Sequence, residues 1–278
     1  MQAIRHFLLA VQFFTRIPVT GRLADWVGYS PEMLRASSGH FPGVGWIVGV
    51  VAAGMLAAAY LLLPAGNRYT PLVAALLSTL ATVLLTGCFH EDGLTDVIDG
   101  LGGSYDRERA LDIMKDSRIG AYGAMAMVLA VGIKVALIAL LASHSLPLAV
   151  AAVLTGHVIA RLWPMLVVRS LPHVGDTAKS KSKPLAEFIT RKGLVSCAIW
   201  ALPAAILLGY WQGLPVLLPA LLLSAAVALW MRQWFKRRLQ GFTGDGLGAI
   251  EQVGEIAFYL GAALSLGPVG AWLTKALT

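Results

Sequence analysis

Charge is the scarcest thing in this sequence. Only 13% of its 278 residues are Asp, Glu, Lys or Arg, against about 25% in an ordinary soluble domain. That shortage excludes a disordered chain and a solvated coiled coil, both of which need dense charge. Cysteine is nearly absent too. Cys88 and Cys197 lie far apart in sequence, which argues against a metal pair, and two residues build no disulfide framework. Both read as small apolar helix residues. The ten-residue alternating segments of a membrane β-barrel are missing. So are the Gly-x-x-x-x-Gly-Lys loop, the Gly-x-Ser-x-Gly elbow and the His-Glu-x-x-His helix, which argues against a P-loop nucleoside triphosphatase, a serine hydrolase and a zinc protease. No low-complexity segment divides the chain, which reads as one domain over residues 1–278.

What is abundant is apolar. Hydrophobic residues make up 57% of the chain and gather in seven runs, at 43–63, 69–89, 121–142, 146–169, 194–211, 214–231 and 256–274. Helices of that length, rising about 1.5 Å per residue, can cross a hydrocarbon layer of about 30 Å. The expected fold is all-α, a polytopic membrane bundle of about seven transmembrane helices. Eighteen of the 22 Lys and Arg residues fall in the N-terminal 42 residues and in segments 90–120, 169–192 and 232–255. These alternate with connections that carry almost none, so the positive-inside rule puts the N-terminus in the cytoplasm. Lys179, Lys181 and Lys183 fit topology setting and contact with anionic lipid. All fifteen acidic residues lie in the same cytoplasmic segments.

The first 17 residues offer no small-residue cleavage site before Arg16 and Pro18, so no cleaved signal peptide is expected. Ile4, Phe7, Leu8, Val11 and Phe14 recur at helical spacing, which predicts an amphipathic helix. It either lies in the inner membrane interface or packs on the bundle, with the interface favoured.

The densest chemistry follows the second run. Asp92, Asp96 and Asp99 stand at i, i+4 and i+7, within about 60° of arc on one helix face. Glu91 lies about 100° away and joins only through its longer side chain or a bend at Gly93. No Lys or Arg occurs within 91–100 to offset them. Like charges at this spacing repel, and proximity to the bilayer raises the penalty. A divalent cation removes the conflict, and carboxylate oxygens suit Mg²⁺ or Mn²⁺. The plainer reading is a solvated acidic face. Ser104 or Asp106 is expected to cap a short helix running to about Asp116 and ending near Gly120. The turn Lys115-Asp116-Ser117-Arg118-Ile119-Gly120 reads equally as an anion-binding or metal-linked turn and as a surface turn. Further on, Gly241, Gly244, Gly246 and Gly248 allow close backbone approach. Asp245 there is either an N-cap or a metal or base residue, and Glu251 and Glu255 are interfacial anchors or site residues. Arg161 near the end of the fourth run either faces a phosphate or snorkels. Lys134, inside the third run, has no assigned role.

Taken alone, these residues describe a membrane-embedded, Mg²⁺-dependent transferase acting on a phosphate ester. The chain also resembles the cobalamin synthase family, the adenosylcobinamide-GDP ribazoletransferases. The resemblance rests on Phe14-Thr15-Arg16-Ile17-Pro18, on His90-Glu91-Asp92-Gly93-Leu94-Thr95-Asp96 with Asp99-Gly100, on Lys115 to Gly120, and on Thr243-Gly244-Asp245 with Glu251. Thr95 stands where a smaller residue, often alanine, is expected. The resemblance implies an integral enzyme of the bacterial inner membrane, with its active site facing the cytoplasm. It would join α-ribazole or its 5′-phosphate to adenosylcobinamide-GDP and release GMP, with Mg²⁺ (or Mn²⁺) as cofactor. It further implies that Glu91, Asp92, Asp96 and Asp99 bind metal and that Asp92, Asp96, Asp116 and Asp245 serve catalysis. Arg118 and Arg161, with Ser117 and Gly244, would hold the substrate. Nucleic acid is not an expected partner. Two other readings stand beside this one. A CDP-alcohol or polyprenyl-phosphate transferase would need Asp-x-x-Asp-Gly-x-x-Ala-Arg, but Leu101-Gly102-Gly103-Ser104 follows Gly100. A cation transporter would want acidic residues near the midplane, and none of the seven runs carries one at its centre.

Overall fold

The computed structural model describes residues 1–175 and 188–277; Lys179, Lys181 and Lys183 lie outside them. Among the described residues the regular structure is helical: α1 (Gln2–Phe14), α2 (Gly21–Val27), α3 (Pro31–Ser37), α4 (Phe41–Leu62), α5 (Thr70–Thr86), α6 (Phe89–Gly103), α7 (Arg107–Met114), α8 (Ala121–His144), α9 (Leu146–Ala160), α10 (Leu162–Ser170), α11 (Arg191–Gln212), α12 (Leu214–Arg238), α13 (Gly244–Leu264) and α14 (Pro268–Leu277). Among the described residues, six helical stretches are long and apolar enough to cross a membrane: Pro31–Leu62, α8, Leu146–Ser170, α11, α12 and α13. The pair α5 and α6, bent by 90°, supplies a seventh if counted as one span. The chain is an all-α integral membrane bundle, as its composition requires.

The helices begin where the sequence supplies starts. Ser30, Asp106, Ser145 and Thr190 each accept a backbone N–H from the first turn of the helix that follows, and prolines occupy the opening positions of α3, α4, α5, α9 and α12. At the centre lies α13, packed against α12, α6, α8, α9 and α10. Trp163 on α10 donates to Ser224 on α12 at 2.7 Å, and Ser224 donates to the Gly254 carbonyl on α13 at 2.7 Å. Inside a bilayer such bonds hold helices that the hydrophobic effect alone would not bring together.

α1 forms as its periodicity predicts, and one face packs on the bundle. Ala10, Val11 and Phe14 are buried while Ile4 is exposed. Phe14 stacks on Phe41 at 4.1 Å between ring centroids.

Several expectations are corrected. The run at 69–89 is not one straight span: the chain turns at Gly87 and Cys88, both left-handed at φ +68° and +64°. Cys88 is therefore an exposed corner residue, whereas Cys197 is buried within α11 as expected. The short helix α7 ends at Met114, and Gly120 opens α8 instead of closing α7. The last span is α13, Gly244–Leu264, not 256–274, whose second half is the separate helix α14. Glu251 and Glu255 consequently lie inside a span, each 0% exposed. The expectation that no span carries an acidic residue at its centre fails with them.

Candidate active site

The corner between α5 and α6 builds one side of the site. Two successive left-handed residues turn the backbone sharply, and the side chain of Arg16 lies against Gly87. The Arg16 N–H donates to the Leu85 carbonyl at 2.7 Å. The N-terminal motif thus braces this corner. Beyond it, α6 crosses the first turn of α13 at backbone contact. A Cβ on Gly93 would sit 2.7 Å from the Asp245 carbonyl oxygen, so only glycine allows this approach. Gly93→Ala is expected to cost about 1–3 kcal/mol by overpacking, whereas Gly54→Ala, where a Cβ meets nothing within 4 Å, should be silent. Thermal unfolding of both variants in one detergent checks the contrast.

This crossing sets Asp92 and Asp96 of α6 beside Asp245 of α13. Asp92 is exposed, Asp96 and Asp245 are half-buried, and the charge of Asp96 is repelled by Asp245, Asp92 and Asp99. Asp245 is not the helix cap. Thr243 takes that role, its hydroxyl accepting from the Gly246 N–H at 3.1 Å. Among the described residues none of the three carboxylates forms an ion pair. The other two acidic residues of the run are engaged by the protein. Asp99 accepts the Gly120 N–H at 2.7 Å and the Gly123 N–H at 2.8 Å, so its carboxylate closes the N-terminus of α8. Glu91 is buried and accepts from the Gln252 amide at 3.2 Å. The four residues grouped by sequence therefore divide into two free and two engaged.

A groove of about 520 Å³ opens beside Asp99, lined by Asp116, Arg118, Gly120 and Tyr122 among others. Arg118 grips Asp116 through Nε at 3.0 Å and Nη2 at 2.5 Å, and its backbone N–H adds a bond at 3.1 Å. These bonds hold the Asp116 carboxyl at about 2, below its ordinary 3.8. A depressed value means that the pairing is complete above 3.8 and is lost only as the pH falls toward 2. Asp116 is thus a fixed anion that orients Arg118 and a weak proton acceptor. Asp116→Asn is expected to loosen Arg118, whose guanidinium loses its charged partner. The acid limb of the pH–rate profile should keep its midpoint, because Asp116 does not titrate there. Ser117 is exposed beside this pair, and Gly244 opens α13 next to Asp245.

Arg161 is elsewhere. It is 1% exposed at the junction of α9 and α10, bonded to Glu251 at 2.7 Å and to the His157 carbonyl at 2.8 Å. Burial and this ion pair keep it from the groove, so the structure does not bring it to Arg118. It belongs to a polar network that sequence reasoning missed. Lys134 of α8 meets Glu255 at 2.8 Å, His157 of α9 meets the same carboxylate at 3.3 Å, and Tyr259 donates to it at 2.8 Å. The ligand atoms of His157, Glu251 and Glu255 lie close enough together to hold a metal. Lys134 and Arg161 already supply the cationic partners, which makes a metal there superfluous. The signal available in sequence was Lys134 itself, since a lysine within an apolar span needs a buried anion, and Glu251 and Glu255 are spaced for one helix face.

Membrane-length helices, with aspartates that are unpaired among the described residues where α6 crosses α13, define an integral membrane protein with a cluster of carboxylates. The chain belongs to the cobalamin-5-phosphate synthase family, whose profile matches residues 6–263. It is similar to proteins named adenosylcobinamide-GDP ribazoletransferase: 59% identical to that of Polaromonas sp. strain JS666, over 95% of this chain and 98% of the relative. Identity is 56% to that of Albidiferax ferrireducens, over 95% and 99%. It is 39% to that of Shewanella amazonensis, over 91% and 93%. No solved structure matches the chain. The family and these relatives make it a transferase of cobalamin synthesis, which sets aside the transporter and the CDP-alcohol readings.

Proposed function

We propose that this protein joins α-ribazole or its 5′-phosphate to adenosylcobinamide-GDP with release of GMP, at a site on the cytoplasmic side of the bacterial inner membrane. The observation that carries the reading is the convergence of Asp92, Asp96 and Asp245 without protein countercharge, in a chain whose relatives are named for this reaction. The basic segments that flank this end of the bundle support the cytoplasmic orientation.

The donor set suits Mg²⁺. It consists of carboxylate oxygens alone, from two helices, with an exposed edge where water and substrate phosphate can complete the shell. Asp92 and Asp96 would hold the ion with Asp245 opposite, while Glu91 and Asp99 act as braces. When bound, Mg²⁺ stabilises negative charge on the phosphoryl oxygens and on the leaving phosphate. Arg118, oriented by Asp116, pairs with the diphosphate in the groove, with Ser117 as an added donor. The Gly244 amide, in the first turn of α13, adds a backbone donor with no side chain in the way. A hydroxyl of the ribazole attacks the phosphorus that bears the cobinamide arm. A new O–P bond forms, the P–O bond to GMP breaks, and the hydroxyl proton passes to Asp96 or Asp245.

Purified protein supplied with adenosylcobinamide-GDP, α-ribazole and Mg²⁺ is expected to release GMP. Omitting Mg²⁺ should stop it. Folded protein that releases none under either condition refutes the reading.

A further inference from the structure

α6 carries the two free aspartates, and its start has no side-chain cap. It follows a left-handed corner at Cys88. Its far end is fixed by Asp99 on the amides of α8. The near end, where Asp92 lies, is held by a contact from α13. The Gln252 side chain donates to Glu91 at 3.2 Å and to Glu251 at 3.0 Å, and all three residues are buried. An amide between two carboxylates must turn its nitrogen toward both, because its oxygen would face a second acceptor. Glu251 is anchored in turn by Arg161, and Arg161 by the backbone of α9. The chain Arg161–Glu251–Gln252–Glu91 therefore runs from the bundle interior to the first turn of α6. Glu91 and Asp92 are neighbours about 100° apart on that helix. Drawing Glu91 inward turns Asp92 outward, and Asp96 follows one turn later on the same face.

We infer that Gln252 is a positioning residue that sets the rotation of α6, so that Asp92 and Asp96 face Asp245 across the site. The inference rests on the metal role proposed for those aspartates. Gln252 does not touch metal or substrate; it acts through Glu91. Nor is it interchangeable with other polar residues. A carboxylate at this position would place three anions together, and an apolar side chain would leave Glu91 with no donor.

The test uses full-length protein in detergent, with Mn²⁺ binding read by electron paramagnetic resonance, thermal unfolding read in parallel, and GMP release measured against Mg²⁺ concentration. Gln252→Met keeps the length of the side chain and removes both donors; Gln252→Glu exchanges donors for acceptors. Each is expected to weaken Mn²⁺ binding by about 10–100-fold, the usual effect of removing a group that orients a metal ligand. The Mg²⁺ concentration for half-maximal GMP release should rise by the same factor, while KM for the corrinoid at saturating Mg²⁺ stays unchanged. Asp92→Asn is the control that removes a proposed ligand. If wild type binds no Mn²⁺, the metal reading itself fails. If wild type binds and either folded variant binds equally well, the positioning role is overturned, and a lowered unfolding temperature alone does not rescue it.

Discussion

Replacing Asp92 or Asp96 by asparagine is expected to lower turnover by on the order of 10²–10³-fold, the scale of losing one preorganised electrostatic stabiliser from an active site. The protein should remain folded. Asp92 is exposed and Asp96 half-buried, and among the described residues neither side chain is engaged in a hydrogen bond or ion pair. Relieving their mutual repulsion should leave stability unchanged or improve it. Asp99→Asn should behave in the opposite way. Asp99 is buried and both its oxygens accept backbone N–H groups of α8, and hydrogen bonds to a charged group contribute about 1.5–3 kcal/mol. Its loss should appear first as a lower unfolding temperature. Assaying GMP release and thermal unfolding on all three variants separates the two roles. If Asp92→Asn and Asp96→Asn both keep wild-type rates, their assignment as ligands is wrong even though the family assignment stands.

The second large effect concerns the interior. Lys134→Met is expected to cost about 3–5 kcal/mol, because it takes the lysine cation from buried Glu255 and leaves that carboxylate only His157 and Tyr259 as partners. The geometry behind this is the 2.8 Å pair between Lys134 and Glu255, with Glu255 fully buried. Adding Glu255→Gln to that variant should restore part of the loss, since removing both charges is milder than removing one. Thermal unfolding of the two single variants and the double variant, in one detergent, gives the cycle. Additive losses would mean that Lys134 and Glu255 stabilise the bundle independently.

Much of the bundle is legible in the sequence, because apolar runs of spanning length and alternating basic segments leave few alternatives. The helical face shared by Asp92 and Asp96 is legible for the same reason: spacing alone sets it. What escaped has a common physical cause. Hydropathy treats a charged residue as a boundary, since it sees only the sequence neighbours of Glu251 and Glu255. It cannot see Lys134 on α8, or His157 and Arg161 at the end of α9, which make those glutamates tolerable inside a span. The last span was therefore drawn twelve residues late. The corner at Gly87 and Cys88 escaped because a left-handed cysteine is uncommon and nothing in the local sequence demands one. The division of the acidic run is a tertiary fact as well. Only the fold brings Gln252 to Glu91 and the first amides of α8 to Asp99.

The central claim is that aspartates on two helices share a divalent cation where α6 crosses α13. A crystal of the protein soaked with Mn²⁺ and measured at the manganese absorption edge tests it directly. The account predicts an anomalous peak between Asp92 and Asp96 on one side and Asp245 on the other. A peak among His157, Glu251 and Glu255 instead, or no peak at the α6–α13 crossing with adenosylcobinamide-GDP present, would contradict it.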